Sequence, residues 1–209
     1  MKKIISFDLD GTLVDGIYGE MVWNHGVPEV YAKTHGITFE EAKRFTRKEF
    51  ESLGDGRLEW YDIDYWLHRF GLPVSPPELL DRYERHIELL PHAKEVLTAL
   101  QKRYTLIIAS NAARIFVEKE ISFTGIGVHF THIVSATSDY GIVKKGETFY
   151  RTLLDNLSVS PDEVVHVGDH RLFDYEAPSR FGIESYHLCS EGNGSHKIIH
   201  DLKTLLERL

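Results

Sequence analysis

The chain has 209 residues, 42% of them apolar, enough for a real core in one large domain or a core with one inserted subdomain, and too apolar for disorder. A formal net charge of −8 without a basic block argues against nucleic acid as a partner. Cys189 is the single cysteine, which leaves no pair for an internal disulfide and fits a reducing compartment. No stretch approaches a membrane span, and Asp8 and Asp10 end the basic-then-apolar start too early for a signal peptide, so the expected location is cytoplasmic, with no membrane partner.

Ile4, Ile5 and Phe7 predict a short buried strand that runs straight into Asp8-Leu9-Asp10-Gly11-Thr12. Acidic groups at the carboxyl end of such a strand face the crevice where α/β sheets bind ligands. Residues two apart in extended chain point the same way, so Asp8 and Asp10 share one site. Two carboxylates so close need either a cation or a held proton. Gly11 permits a sharp exit, and Thr12 adds a hydroxyl able to bond an anion.

From about Ile17 to Leu90 the pattern is helical and broken by turns, with no convincing strand. Thr38 is placed to cap a helix through Ala42, Phe45 and Phe50, with Glu41 as its capping-box partner and Gly54-Asp55-Gly56 as its end. Trp60, Ile63, Trp66, Leu67 and Phe70 trace a second apolar face, and a further helix is expected from Pro77 to Leu89. Beyond Pro91 strands and helices alternate. The expected order is a helix with Ala93, Val96, Leu97 and Leu100 on its stripe, strand Leu106–Ala109, a helix near Ala113–Ile121 and strand His132–Ser135. Helix Glu147–Leu157, strand Val164–Val167, a helix near Phe173–Phe181, strand Glu184–Leu188 and a last helix from Lys197 to about Leu206 follow. That alternation predicts an α/β fold, a Rossmann-like parallel sheet with helices on both faces. An insert of about seventy residues far exceeds an ordinary βα connection, so residues 16–89 are expected to form an all-helical cap over a core of residues 1–15 and 90–209.

Three more motifs fall at strand ends. Ser110-Asn111 offers a hydroxyl and backbone N–H groups before a helix, a natural phosphate seat. Gly141-Ile142-Val143-Lys144-Lys145 brings an ammonium to the same edge. Gly168-Asp169, with Asp174, supplies hard oxygen ligands of the kind magnesium prefers. His166 and His170 bracket this motif, but no third histidine or cysteine completes a zinc set. Gly125-Ile126-Gly127 lacks the third glycine of a dinucleotide fingerprint, and Asn193-Gly194-Ser195 is a glycosylation sequon only in a secretory context.

Together, Asp8-Leu9-Asp10-Gly11-Thr12, Ser110-Asn111, Lys144 and Gly168-Asp169 with Asp174 resemble the haloacid dehalogenase superfamily, in its phosphatase branch with a helical cap. The resemblance spans the whole core, including Pro91-His92-Ala93 as the return from cap to core. Within the lysine pair, the distances from Gly141 and to Tyr150 favour Lys144. Lys145 and Glu147 stand where the family often has proline, and His170 where it often has serine. The resemblance implies Asp8 as nucleophile and Asp10 as general acid and base. It implies Mg²⁺ on the Asp8 carboxylate, the Asp10 carbonyl, Asp169 and Asp174, with phosphate held by Thr12, Ser110, Asn111 and Lys144. The expected activity is Mg²⁺-dependent hydrolysis of a small phosphorylated metabolite through an aspartyl-phosphate. The alternatives are a sugar-phosphate mutase of the β-phosphoglucomutase type and a non-catalytic phosphoacceptor. In the cap, Arg57 follows a flexible break and is the pointed substrate candidate. Trp23, Trp60 and Trp66 read as cap core, and Lys43, Arg44, Arg47 and Lys48 as the wet face of a helix.

Overall fold

A computed structural model describes residues 2–189 and 197–209, so the sequon at 193–195 lies outside the described residues. Strands β1 (Ile4–Phe7), β2 (Thr105–Ser110), β3 (His132–Ser135), β4 (Val164–Gly168), β5 (Glu184–Leu188) and β6 (Ile198–Ile199) form one sheet in the order β3-β2-β1-β4-β5-β6. Every pairing is parallel.

Helices α1 (Ile17–Met21), α2 (Val27–His35), α3 (Phe39–Leu53), α4 (Ile63–Arg69) and α5 (Pro76–Asp81) lie in the insertion between β1 and β2. Outside it come α6 (Ala93–Leu100), α7 (Arg114–Thr124), α8 (Ala136–Tyr140), α9 (Glu147–Leu157), α10 (Ala177–Arg180) and α11 (Leu205–Arg208).

The period-two alternation of the strands splits the core in two. Ile5, Phe7, Leu106, Ile108, Val165 and Val167 pack with α6, α7 and α11 on one face. Ile4, Ile107, Ala109 and Val164 pack with Phe149, Tyr150 and Leu153 of α9 on the other. Near-continuous apolar runs are what a sheet covered on both faces requires.

The insertion leaves and rejoins the core at one place. Val14 bridges antiparallel to Leu89, Asp15 N–H donates to Glu88 O at 3.1 Å, and Leu90 N–H donates to Leu13 O at 2.9 Å. Helix α3 starts on the capping box read from sequence: Glu41 N–H donates to Thr38 Oγ1 at 3.3 Å and Thr38 N–H to Glu41 Oε2 at 3.0 Å. It stops at Gly54, whose φ of 80° suits a residue without a Cβ. Trp66 is fully buried between Phe50 and Phe70 as insertion core.

Two helices differ from expectation. The segment after Lys197 is a strand first, because the open edge of β5 offers backbone partners: His187 N–H donates to Lys197 O at 2.9 Å and Cys189 N–H to Ile199 O at 3.0 Å. The helix expected to run to Leu89 ends at Asp81, because the chain must extend again to meet Val14.

Candidate active site

Strand order sets the position of the site. The chain steps from β1 to β2 and β3 on one side, and β4 returns to pair on the other side of β1. The carboxyl end of β1 therefore sits at a topological switch point, where the flanking loops diverge and leave a crevice. Asp8 is the first residue beyond β1, its N–H still donating to Val167 O at 2.9 Å.

Asp8 is buried, and Lys145 Nζ donates to its Oδ1 at 2.5 Å. The same ammonium reaches Ala109 O at 2.9 Å and Asp174 Oδ1 at 2.6 Å, with 1% of the lysine side chain exposed. This corrects the choice of Lys144, whose Nζ points outward to Asp55 Oδ2 at 3.0 Å on the insertion. Neighbouring side chains in a non-helical segment leave the backbone on opposite sides, so a one-residue difference in frame moves the charge from crevice to solvent.

Asp174 is anchored on three sides. Besides Lys145, its Oδ1 lies 3.1 Å from His166 Nε2, and its Oδ2 accepts from His170 N–H at 3.0 Å. His166 is buried within β4 with its Nδ1 at 3.0 Å from Ser6 Oγ, so it braces the carboxylate, and its two ring nitrogens are taken. Burial opposes the charge on Asp174, but Lys145 and His166 win and hold its carboxyl well below the usual range. Burial likewise works against the Lys145 ammonium, and Asp174 and Asp8 overcome it, raising its pKa. Asp8 is pushed well up by burial, against the pull of Lys145, and Asp169 is raised by burial and by Asp174.

Asp8, Asp169 and Asp174 each offer an oxygen within 4.8 Å of the others. Two glycines make room for this gathering. A Cβ at Gly11, where φ is +72°, would stand 2.5 Å from Asp169 Oδ2, and one at Gly168 would overlap the Asp174 side chain. Three carboxylates against one ammonium leave a net negative set of hard oxygen donors, which fits a divalent cation such as Mg²⁺.

The other sequence candidates divide. Thr12 is buried and donates to Asp169 Oδ1 at 3.4 Å. Ser110 is buried at the end of β2, its Oγ accepting from Ala112 N–H at 3.0 Å. Asn111 has a buried Oδ1 without a partner among the described residues. Arg57 does not line the crevice; it is exposed and pairs with Glu59 at 2.8 Å.

A cleft of about 780 Å³ opens on Asp10. Its walls come from the insertion (Trp23, Lys43, Arg47, Phe50, Trp60) and from Phe116 of the core. Lys43 and Arg47, read from sequence as a wet helix face, therefore border the space beside Asp10. Trp23 and Trp60, read as insertion core, are half-buried on the same cleft.

Glu120 was not signalled as functional, yet it is fully buried on α7 beside Asp10, with both carboxyl oxygens lacking a well-formed hydrogen bond among the described residues. Burial and the Asp10 charge push its carboxyl up to about 10. Its mark in the sequence is a lone acid on the stripe Phe116, Val117, Ile121 that α7 turns to the core.

A family model for haloacid dehalogenase-like hydrolases matches residues 2–182. The chain belongs to that family. Among curated relatives, the GMP/IMP nucleotidase YrfG of Escherichia coli is 25% identical over 181 residues, 86% of this chain and 79% of that protein. A glyceraldehyde 3-phosphate phosphatase of Pyrococcus abyssi is 25% identical over 195 residues, 88% of this chain and 80% of that protein. The crystal structure of a HAD phosphatase from Thermococcus onnurineus superposes with a TM-score of 0.83 at 23% identity, covering 100% of this chain and 97% of that one. The HAD-hydrolase YfnB of Bacillus subtilis, solved with magnesium bound, gives a TM-score of 0.68 at 16% identity, covering 100% and 98%.

Proposed function

We propose that this haloacid dehalogenase-like hydrolase is a phosphatase that cleaves small phosphate monoesters through a phosphoryl group carried on Asp8. The observation that carries the reading is the held nucleophile: Lys145 occupies Asp8 Oδ1, leaving Oδ2 to attack, while Asp10 stands two residues on at the floor of the cleft. Both named curated relatives act on phosphorylated small molecules, in keeping with this chemistry.

Asp8 Oδ2 forms a bond to phosphorus as the bond to the ester oxygen breaks, and Asp10, protonated, gives its proton to the departing alkoxide. Burial raises Asp10 above the ordinary aspartate range, which favours this acid role. Water then attacks the same phosphorus. Asp10, now ionised, takes its proton, and the acyl phosphate bond breaks to return the Asp8 carboxylate and inorganic phosphate. Lys145 screens the approach of one anion to another. Mg²⁺ would be held by Asp8, the Asp10 carbonyl and Asp169, with Asp174 contributing through water because its oxygens already serve Lys145, His166 and the His170 N–H. When bound, the ion supplies further positive charge against the transferring oxygens. In this reading Thr12, Ser110 and the backbone N–H groups around Asn111 orient the phosphoryl group.

Residues 16–89 serve in this reading as the cap, and the mutase alternative loses its motive because Arg57 is paired away from the cleft. Asp8→Asn should abolish phosphate release from p-nitrophenyl phosphate, and Asp10→Asn should lower it by about two to four orders of magnitude. Both are read by phosphate assay with Mg²⁺ present. Wild-type turnover by the Asp8→Asn protein would end the nucleophile assignment.

A further inference from the structure

The cleft beside Asp10 is large and lined by aromatic side chains. Ligand pockets for small molecules span roughly 300–1,000 Å³, and this one, at about 780 Å³, has far more room than a three-carbon phosphate needs. Its wall is aromatic from both sides of the molecule. Trp23 of the insertion stacks on Phe116 of the core at 5.7 Å and 15°, and Phe50 meets Trp23 edge-on at 5.7 Å. Trp60 touches Phe50 only by its edge, at 6.3 Å and 68°. Half-buried and without a stacked neighbour among the described residues, Trp60 keeps a ring face available.

Charge completes the picture. Arg47 is committed to Glu51 at 2.7 Å. Lys43 has no carboxylate partner among the described residues; its ammonium lies 5.9 Å from the centre of the Phe39 ring. A lysine ammonium donates three hydrogen bonds and accepts none. A half-buried lysine on an aromatic-walled cleft calls for a ligand that is both flat and rich in acceptors.

Resting on the phosphatase reading above, we propose that this cleft is the pocket for the alcohol portion of a nucleoside monophosphate. The base stacks on Trp60, and Lys43 donates to acceptor atoms on the ring edge. A 6-oxopurine presents two acceptors, O6 and N7, along one edge to such a donor, whereas adenine places an amino donor beside N7. A triose phosphate would reach Asp8 and leave the aromatic wall in water. Of the two substrate types named for the curated relatives, the geometry points to the nucleotide.

Two readouts test this. The first is phosphate release from GMP, AMP, glycerol 3-phosphate and glyceraldehyde 3-phosphate by the wild-type protein with Mg²⁺. The second is binding of GMP and glycerol 3-phosphate to the Asp8→Asn protein, followed by tryptophan fluorescence, which needs no turnover. The proposal expects GMP to exceed both three-carbon phosphates in kcat/KM, and in affinity for Asp8→Asn, by tenfold or more, since stacking of one base on one aromatic side chain is worth about ten- to a hundredfold. Trp60→Ala should collapse that preference about tenfold or more while Trp60→Phe keeps most of it, and Lys43→Met should narrow the ratio of GMP to AMP. Equal or better use of the three-carbon phosphates, or GMP binding no tighter than glycerol 3-phosphate, overturns the pocket assignment. If no substrate releases phosphate yet GMP still binds in a Trp60-dependent way, the phosphatase reading fails and the pocket stands.

Discussion

At the scale of single residues, two neighbouring lysines have opposite environments and should behave so. Lys145 is buried between Asp8 and Asp174, and removing one partner of a buried ion pair leaves an uncompensated charge, a cost of about 3–5 kcal/mol. Lys145→Met should lower the denaturant midpoint sharply and abolish phosphate release. Lys144→Met removes a pair whose side chains are 40% and 63% exposed, and it should change stability by less than about 1 kcal/mol. Glu120 gives a prediction with a pH signature. Its folded pKa of about 10 lies above the ordinary 4.5, so the folded protein keeps a proton that the unfolded chain releases. The associated stability is present in full below about pH 4.5 and is lost as pH rises toward 10, by up to about 1.4 kcal/mol per unit. Glu120→Gln should therefore be more stable than wild type by up to about 5 kcal/mol at pH 8 and by no more than about 1 kcal/mol at pH 5. Urea melts in EDTA at the two pH values measure this; a Gln variant that is weaker at both would show that the carboxyl is ionised in the fold.

At the scale of elements, the legible parts were those where local chemistry and tertiary need agree. Helix α3 carries its own start signal in Thr38 and Glu41 and its own stop in Gly54, and Glu147–Leu157 and His132–Ser135 appear with the boundaries their patterns predict. Because the Thr38 cap satisfies helix N–H groups on an exposed end, Thr38→Ala should cost about 1 kcal/mol, read as a shift of the urea midpoint with the slope unchanged. Ile198-Ile199 became strand because an open sheet edge needed pairing, and edges belong to the assembled sheet and not to any local pattern. The same limit explains the site. Asp8, Asp10, Ser110 and Asp169 sit beside recognisable strands. The orientation of Lys145, the burial of Glu120 and the turning of Lys43 and Trp60 toward one cleft depend on packing between distant segments.

At the scale of the whole molecule, the fold gathers charge that it does not itself neutralise. Strand order brings the ends of β1 and β4 together, and with them three carboxylates within 4.8 Å, against which stands the buried ammonium of Lys145. Burial first, and the neighbouring negative charge of Asp174 after it, raise the Asp8 and Asp169 carboxyls. A divalent cation that binds this set, and not the unfolded chain, must stabilise the folded state by mass action, about 2.7 kcal/mol at a hundredfold excess over its dissociation constant. For a chain of this size that corresponds to a rise in Tm of roughly 5–10 °C. Calorimetry in EDTA and in saturating Mg²⁺ should show the rise for wild type and its loss in Asp169→Asn, which removes one charge at the rim without touching the Lys145 pairings. A shift of equal size in Asp169→Asn would place the cation elsewhere and leave the carboxylate cluster held by Lys145 alone.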